Sequence, residues 1–379
     1  MLPATKSHRF SLADVLPSCL DALHSRPGRM GLAPASKAIV LLVDGLGVSA
    51  LAARSGHART LAPLLGAGST IRAAFPTTTA SSIATLTTGE SAGVHGLVGY
   101  TVLDAANDRV VNELSGWDER FDPQTWQRVR TLFEQAADEG IESFVVASES
   151  YRDSGFTRAV LRGAEFHSGK GVPGRLHEAR RILDRSERCI VYVYVPELDK
   201  AGHAHGWQSP QWTHELEALD GAVKEFSGTL RPDEGLIITA DHGMLDVPQS
   251  RHILFDADPG LVDGIRFVAG EPRCLQLHFE PDATREHRDT VLERWQASES
   301  SRSWVTSRDD AISSGWFGPA VDPQVVPRIG DLIVAARKAI AYYDSRATGQ
   351  TGRSMVGQHG SWTQDETEVP LLKMGAWAA

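Results

Sequence analysis

Three runs of this chain are apolar without interruption: Ala38-Ile39-Val40-Leu41-Leu42-Val43, Cys189-Ile190-Val191-Tyr192-Val193-Tyr194-Val195 and Gly235-Leu236-Ile237-Ile238-Thr239-Ala240. A half-exposed strand alternates apolar and polar residues, whereas a run apolar at every position has both faces covered. That is the pattern of a parallel sheet between helices. Each run is followed closely by an acidic residue, Asp44, Asp199 and Asp241. In an open α/β sheet, ligands bind beyond the carboxyl ends of the strands. A turn-forming Asp-Gly explains Asp44 equally well on its own. It does not explain three carboxylates at the same edge, which a core has no use for unless they converge on a cation.

With 379 residues, 41% of them hydrophobic, the chain can bury one large core and a smaller lobe. Amphipathic patterns predict helices over 12–24 (with Pro17 as a candidate break), 124–139, 176–184 and 212–230, and a short strand over 142–147. From 254 to 318 the character changes. Short strands over 264–270 and 274–279, a charged helix over 282–297 and a strand at 303–305 read as a small α+β insert, a cap laid over the main sheet. The main fold is expected to resume with a strand over 328–335. The expectation is an α/β protein whose mostly parallel central sheet carries helices on both faces, with a core of 1–253 and 319–379 and an insert of 254–318.

The segment Phe75-Pro76-Thr77-Thr78-Thr79-Ala80-Ser81-Ser82 places hydroxyls where an apolar run breaks and a helix packed by Ile83, Ala84 and Leu86 begins. A hydroxyl there serves most simply as an N-cap. It also lies beside free backbone N–H groups and the positive end of the helix dipole, where an anion binds and an alkoxide is stabilised. Asp199 and His203 are four apart, which on one helical turn points both side chains the same way, as metal ligands from one helix must. His205 falls two further on and faces away. Asp241-His242 pairs a carboxylate with an imidazole at the end of the third apolar run. His359, in the Gly/Ser/Thr-rich stretch 352–365, has a local setting of exposed loop and gains weight only if a metal site still lacks a ligand.

Asp44, Asp199, His203, Asp241, His242 and His359, with the Thr79 hydroxyl, make seven N/O donors. One zinc takes four, so this set suits two metals with bound water or substrate. Mixed imidazole and carboxylate favours Zn²⁺, with Mn²⁺ or Fe²⁺ as alternates. A metal-bound threonine is deprotonated more readily and becomes an alkoxide nucleophile, while a second metal neutralises the leaving oxygen. That division of labour suits phosphoryl transfer.

Taken in order, Asp44-Gly45, Phe75-Pro76-Thr77-Thr78-Thr79, Asp199-x-x-x-His203, Asp241-His242-Gly243-Met244 and Gly357-Gln358-His359-Gly360 resemble the alkaline phosphatase superfamily, in its nucleotide pyrophosphatase/phosphodiesterase branch. The resemblance runs from the Asp44 strand to the His359 loop. It implies an alkaline-phosphatase-like fold, Thr79 as a transiently phosphorylated or nucleotidylated nucleophile, Asp199, His203 and His359 on one zinc, and Asp44, Asp241 and His242 on the other, with Thr79 bridging toward it. It also implies a small insert at 254–318. Two positions depart from the family pattern. The phosphate-binding Asn downstream of the His95-Gly96 pair falls on Tyr100, whose hydroxyl is a longer donor. The aromatic residue after the nucleophile, which helps hold a nucleobase, is Ala80.

The expected function is therefore a two-zinc hydrolase of phosphate esters, phosphodiester or pyrophosphate bonds favoured, acting on a small phosphorylated substrate such as a nucleotide. The alternatives are a phosphomonoesterase or phosphonate hydrolase, then a metal-dependent phosphosugar mutase or a non-catalytic metal-binding protein. A net charge of -10 without a Lys/Arg block argues against a nucleic-acid platform. Cys19, Cys189 and Cys274 form neither a disulfide framework nor a metal knuckle. Residues 1–6 lead into no apolar signal region, and no later run is long enough to span a bilayer. The expected setting is cytoplasmic.

Overall fold

Every residue of the first apolar run is buried in the computed structural model, where it forms the central strand β1 (Lys37–Val43) of a six-stranded sheet. The structure describes residue 3 and residues 8–347 and 351–378, so the earliest part of the irregular lead-in lies outside it. The other strands are β2 (Glu142–Ala147), β3 (Glu165–Ser168), β4 (Cys189–Val195), β5 (Glu234–Thr239) and β6 (Leu372–Gly375). Their spatial order is β6-β5-β1-β4-β2-β3, parallel throughout except for β6, which runs antiparallel beside β5. Val43 lies opposite Val195 and Leu42 opposite Thr239. The three apolar runs therefore end level, side by side, and their acidic residues emerge at one edge. The α/β architecture with a mostly parallel sheet and surrounding helices is as expected.

A second six-stranded sheet, antiparallel throughout, stands beside the first. Its order is Ser303–Ser307, Leu332–Ala336, Cys274–Phe279, Ile265–Glu271, Thr101–Asp104, Arg109–Asn112. The strand expected to resume the main fold near 328–335 thus joins this sheet instead. The second sheet also takes a hairpin from 101–112, far upstream of the stretch 254–318. Alternation of side chains gives this sheet two apolar faces. Leu275, Leu277, Leu332 and Val334 pack toward the helix Arg285–Glu299 through Val291 and Trp295. Cys274, Ile333 and Ala335 pack on the other side with Phe75, Trp316 and Phe317. Burying the Phe75 ring stabilises by roughly 1.5–3 kcal/mol, and it fixes the chain just ahead of Thr79.

Two helical expectations change. Pro17 does not break its helix, because it lies in the first turn of Val15–Leu23, where a missing N–H leaves no bond unmade. The single helix expected over 124–139 is instead two, Pro123–Trp126 and Leu132–Asp138. Gln127 between them is buried, donating to the Ala159 carbonyl and accepting from the Val129 N–H. Thr131 and Glu134 then start the next helix with a capping box, a signal the apolar periodicity conceals. The helix over 176–184 is longer, Gly171–Arg185.

Candidate active site

Thr79 opens the helix Thr79–Thr88, with Thr78 in extended conformation at the N-cap. Two contacts hold this start in place. The Thr77 hydroxyl donates to the Ser361 carbonyl at 2.9 Å and accepts from the Gly360 N–H at 3.0 Å, tying the segment to the loop that carries His359. That loop is anchored in turn by the fully buried Glu366, which accepts two hydrogen bonds from Arg273 at 2.7 and 2.8 Å and another from the Ser361 N–H. Leaving one charge of such a buried pair alone costs roughly 3–5 kcal/mol.

The helix Glu197–His205 begins directly after β4 and puts Asp199 and His203 on one face; His205 is exposed. Its close approach to β1 depends on Gly45, whose φ is +75° and whose absent side chain leaves room for Asp199: a Cβ there would lie 3.1 Å from the Asp199 Cα. Both conditions favour glycine.

The structure brings seven of the eight expected residues together in two adjoining groups. Asp199, His203 and His359 form one, Asp44, Asp241 and His242 the other; within each, one ligand atom per residue lies within 4.8 Å of the others. The His242 and His359 rings stack at 3.6 Å between the groups. The Thr79 Oγ1 lies 3.2 Å from the His242 Nε2.

The three imidazoles are oriented alike. Each Nδ1 donates to a backbone carbonyl: His203 to Gly357 at 2.8 Å, His359 to Thr77 at 2.7 Å, His242 to Gly243 at 3.1 Å. A ring that donates from Nδ1 presents a bare lone pair at Nε2 when neutral, the usual preparation of a metal ligand. These Nε2 atoms face carboxylates: His203 is 3.3 Å from the Asp199 Oδ1, and His242 is 3.5 Å from the Asp44 Oδ1 and 3.6 Å from the Asp241 Oδ2. Those same three oxygens are buried with no hydrogen-bond partner among the described residues. Burial pushes the Asp44 carboxyl well above its ordinary range, and Asp199 and Asp241 beside it push the same way. Burial likewise raises Asp199. His359 is held well below the usual imidazole range, first by burial and then by His242 and His203. A cation at each group would satisfy its orphaned oxygens, so the residues present fit metal binding.

Tyr194, next to the end of β4, donates its hydroxyl to the Asp44 Oδ2. Sequence reasoning took it as strand packing; its place two residues from Tyr192 on the same face was the signal available. Both tyrosines line a cavity of about 250 Å³ that opens on Thr79, Asp44 and Asp199. Phe156, Phe166 and Tyr151 complete an aromatic wall, and Lys200 adds a cation, its ammonium 5.6 Å over the Tyr151 ring. Tyr100 is elsewhere. The residue is 42% exposed, its backbone N–H donates to Glu271, and it is not among the residues lining this cavity.

The sequence profile of the type I phosphodiesterase / nucleotide pyrophosphatase family matches residues 38–362. An uncharacterized pyrophosphatase/phosphodiesterase of Schizosaccharomyces pombe is 23% identical over 191 residues, 48% of this chain and 39% of that protein. A phosphopentomutase of Anaeromyxobacter sp. is 34% identical over 80 residues, 21% of this chain and 20% of that protein. The chain thus spans well under half the length of these two curated relatives. Among solved structures, murine ectonucleotide pyrophosphatase / phosphodiesterase 5 in complex with AMP superposes with a TM-score of 0.67 at 15% identity, covering 90% of this chain and 88% of that one. Phosphonoacetate hydrolase from Sinorhizobium meliloti, with phosphonoformate bound, gives 0.67 at 18% identity, with 90% and 91% covered. At these identities the likeness is one of fold.

Proposed function

The chain belongs to the type I phosphodiesterase / nucleotide pyrophosphatase family, and on that premise we propose that it is a two-zinc hydrolase of phosphate esters, phosphodiester or pyrophosphate bonds favoured. The observation that carries the reading is the convergence of three Nδ1-anchored imidazoles and three orphaned carboxylate oxygens beside a threonine at a helix start. Asp199, His203 and His359 would hold one zinc, and Asp44, Asp241 and His242 the other. Bound zinc lowers the pKa of a neighbouring hydroxyl and offsets charge on phosphoryl oxygens.

In the first step the Thr79 Oγ1, having lost its proton to solvent, bonds to phosphorus as the ester oxygen departs and takes up a proton. Water then attacks the phosphothreonine, its hydroxyl remaining on phosphorus while Thr79 regains its proton. The free N–H groups of the helix's first turn face the anion formed at Thr79. The organic group retained or expelled lies in the aromatic cavity, which suits a substrate with a flat or apolar body, nucleotides included. Tyr100 holds the sequence position of the family's phosphate-binding Asn after His95-Gly96, but it does not line the Thr79 cavity, so no phosphate contact is assigned to it. The reading includes a reducing, cytoplasmic setting, supported by three cysteines that are all buried and free. No described helix is long and apolar enough to cross a membrane.

Hydrolysis of bis-p-nitrophenyl phosphate beside p-nitrophenyl phosphate, with zinc added and after chelation, tests the reading. A zinc-dependent preference for the diester is expected. Preference for the monoester would move the protein to the phosphatases, and no metal-dependent activity on either would overturn the proposal. Phosphonate hydrolysis is the second reading, favoured by Lys200, a cation in the Thr79 cavity able to meet a substrate carboxylate.

A further inference from the structure

Lys200 follows Asp199 in the helix Glu197–His205 and lines the cavity that opens on Thr79. It is the one cationic side chain in that lining, beside the carboxylates of Asp44 and Asp199, several hydroxyls and an apolar wall. The residue is exposed, and its ammonium has no ion-pair or hydrogen-bond partner among the described residues. It lies 5.6 Å over the Tyr151 ring, within the range of a cation–π contact. The Tyr151 ring meets the Tyr194 ring edge-on at 5.8 Å, and the Tyr194 hydroxyl donates to Asp44. The ammonium is thus set over a pair of rings that ends on a candidate metal ligand. Its charge is felt at the other group as well: burial raises the Asp199 carboxyl, and Lys200 is among the charges opposing that rise.

None of the steps assigned to Thr79 and the metals uses this cation. A simple diester or a monoester puts all of its charge on the phosphoryl group, which Thr79 and the metals take. The Lys200 ammonium stands off from the ligand groups, on the side of the Tyr151 ring. An anion carried a bond or two beyond the scissile phosphorus reaches that side. There an ammonium makes a charge-assisted hydrogen bond, and its compact head on a flexible stem suits a terminal oxyanion. Screening weakens such a pair in open water, but a substrate filling the cavity removes water from one side of it. A neutral body in the same place strips water from the ammonium and returns nothing. The one residue therefore attracts one class of substrate and penalises another, as a specificity device must.

We propose that Lys200 is a specificity-determining residue of the Thr79 site, selecting substrates that carry a second anionic group, phosphoryl or carboxylate, next to the scissile phosphoryl group. Resting on the two-zinc hydrolase reading, this role narrows it. A diphosphate is preferred over a simple diester, and a phosphonate bearing a carboxylate over one without it.

The test measures dissociation constants by calorimetry on the whole zinc-loaded chain carrying Thr79→Ala, which removes turnover. Two ligand pairs differ in the second anion: symmetric bis(p-nitrophenyl) diphosphate against bis-p-nitrophenyl phosphate, and phosphonoacetate against ethylphosphonate. Adding Lys200→Met should weaken the member with the second anion about tenfold or more relative to its partner in at least one pair, with Lys200→Arg between the two. Loss confined to the first pair assigns a phosphoryl group, and loss confined to the second a carboxylate. Unchanged ratios in both pairs would overturn the role. With Thr79 intact, kcat/KM for the diphosphate over the diester should fall by the same factor in Lys200→Met. If the unaltered protein hydrolyses neither, the hydrolase reading fails, while the binding ratios still decide Lys200.

Discussion

The Nε2 atoms of His203 and His359 lie 3.3 Å apart, although each ring already spends its Nδ1 proton on a backbone carbonyl. Two neutral imidazoles in those tautomers aim lone pairs at each other. That arrangement is repulsive unless a cation or a proton sits between them. Holding the rings there falls to distant parts of the chain, Thr77 for one and Gly357 for the other, so the site is built around a charge the polypeptide itself does not provide.

Replacing Thr79 separates the proposed nucleophile from the proposed ligands. Thr79→Ala should keep the bound zinc, because the six Asp and His donors remain, and should lower kcat about a thousandfold or more. Metal content by atomic emission and diester hydrolysis on the same sample check it. Full activity would remove Thr79 from the chemistry.

Gly45→Ala tests a position that contributes no donor at all. An alanine must adopt a φ of +75° and meet the Asp199 backbone at 3.1 Å. The conformation alone costs about 1–3 kcal/mol, and relieving the clash moves Asp199 away from His203. Reduced thermal stability and weaker zinc retention should appear together.

Tyr194→Phe removes the donor to Asp44 while leaving the ring that lines the Thr79 cavity. Loss of an outer hydrogen bond to a ligand should weaken metal affinity or activity about 10–100-fold. A zinc titration of activity would show the variant needing more metal, with kcat largely recovered at saturation.

Zinc affinity should rise with pH. In the metal-free protein the Asp44 carboxyl keeps its proton well above the ordinary 3.8, and metal must displace it. His359, held well below 6.5, is already neutral and adds no opposing proton. Stability of the metal-free form runs the other way. A carboxyl whose folded pKa is raised is favourable below its unfolded value, and that contribution is lost as pH climbs through the raised one. Zinc should therefore raise Tm more as pH climbs above the ordinary carboxylate range. A shift in Tm that is independent of pH throughout that range would show that Asp44 is not the proton being displaced.

Much of this was legible in the residues because the central sheet writes itself locally. A strand buried on both faces must be apolar throughout, and a carboxylate just past its end stands out against that background. The Asp199–His203 spacing is likewise local, since one turn of helix makes it meaningful. His359 was legible only as a completion, because a glycine-flanked histidine has no local mark of convergence. The second sheet was read too narrowly. Antiparallel pairing of 101–112 and 332–336 with strands from 265–279 is set by packing around Phe75 and Trp295, and neither segment announces its partner. The break at Gln127 escaped because a buried glutamine bonding the Ala159 carbonyl is a tertiary event. Tyr194 escaped because an aromatic residue in an apolar run looks like core until its hydroxyl is seen on Asp44.

The antiparallel β6 covers β5, the strand that leads to Asp241, and it reaches that place from the far end of the sequence order. During synthesis the ribosome delivers β5 long before its neighbour. Gly235 on β5 is flat against Trp377, whose indole donates to the Ala33 carbonyl, so the late segment also clasps the early one. His359 emerges on the same late stretch. Every newly made copy must therefore pass through a stage in which the sheet has an open flank and one metal-ligand group is missing a member. Until that stretch is made, Asp199 and His203 stand without the third residue of their group.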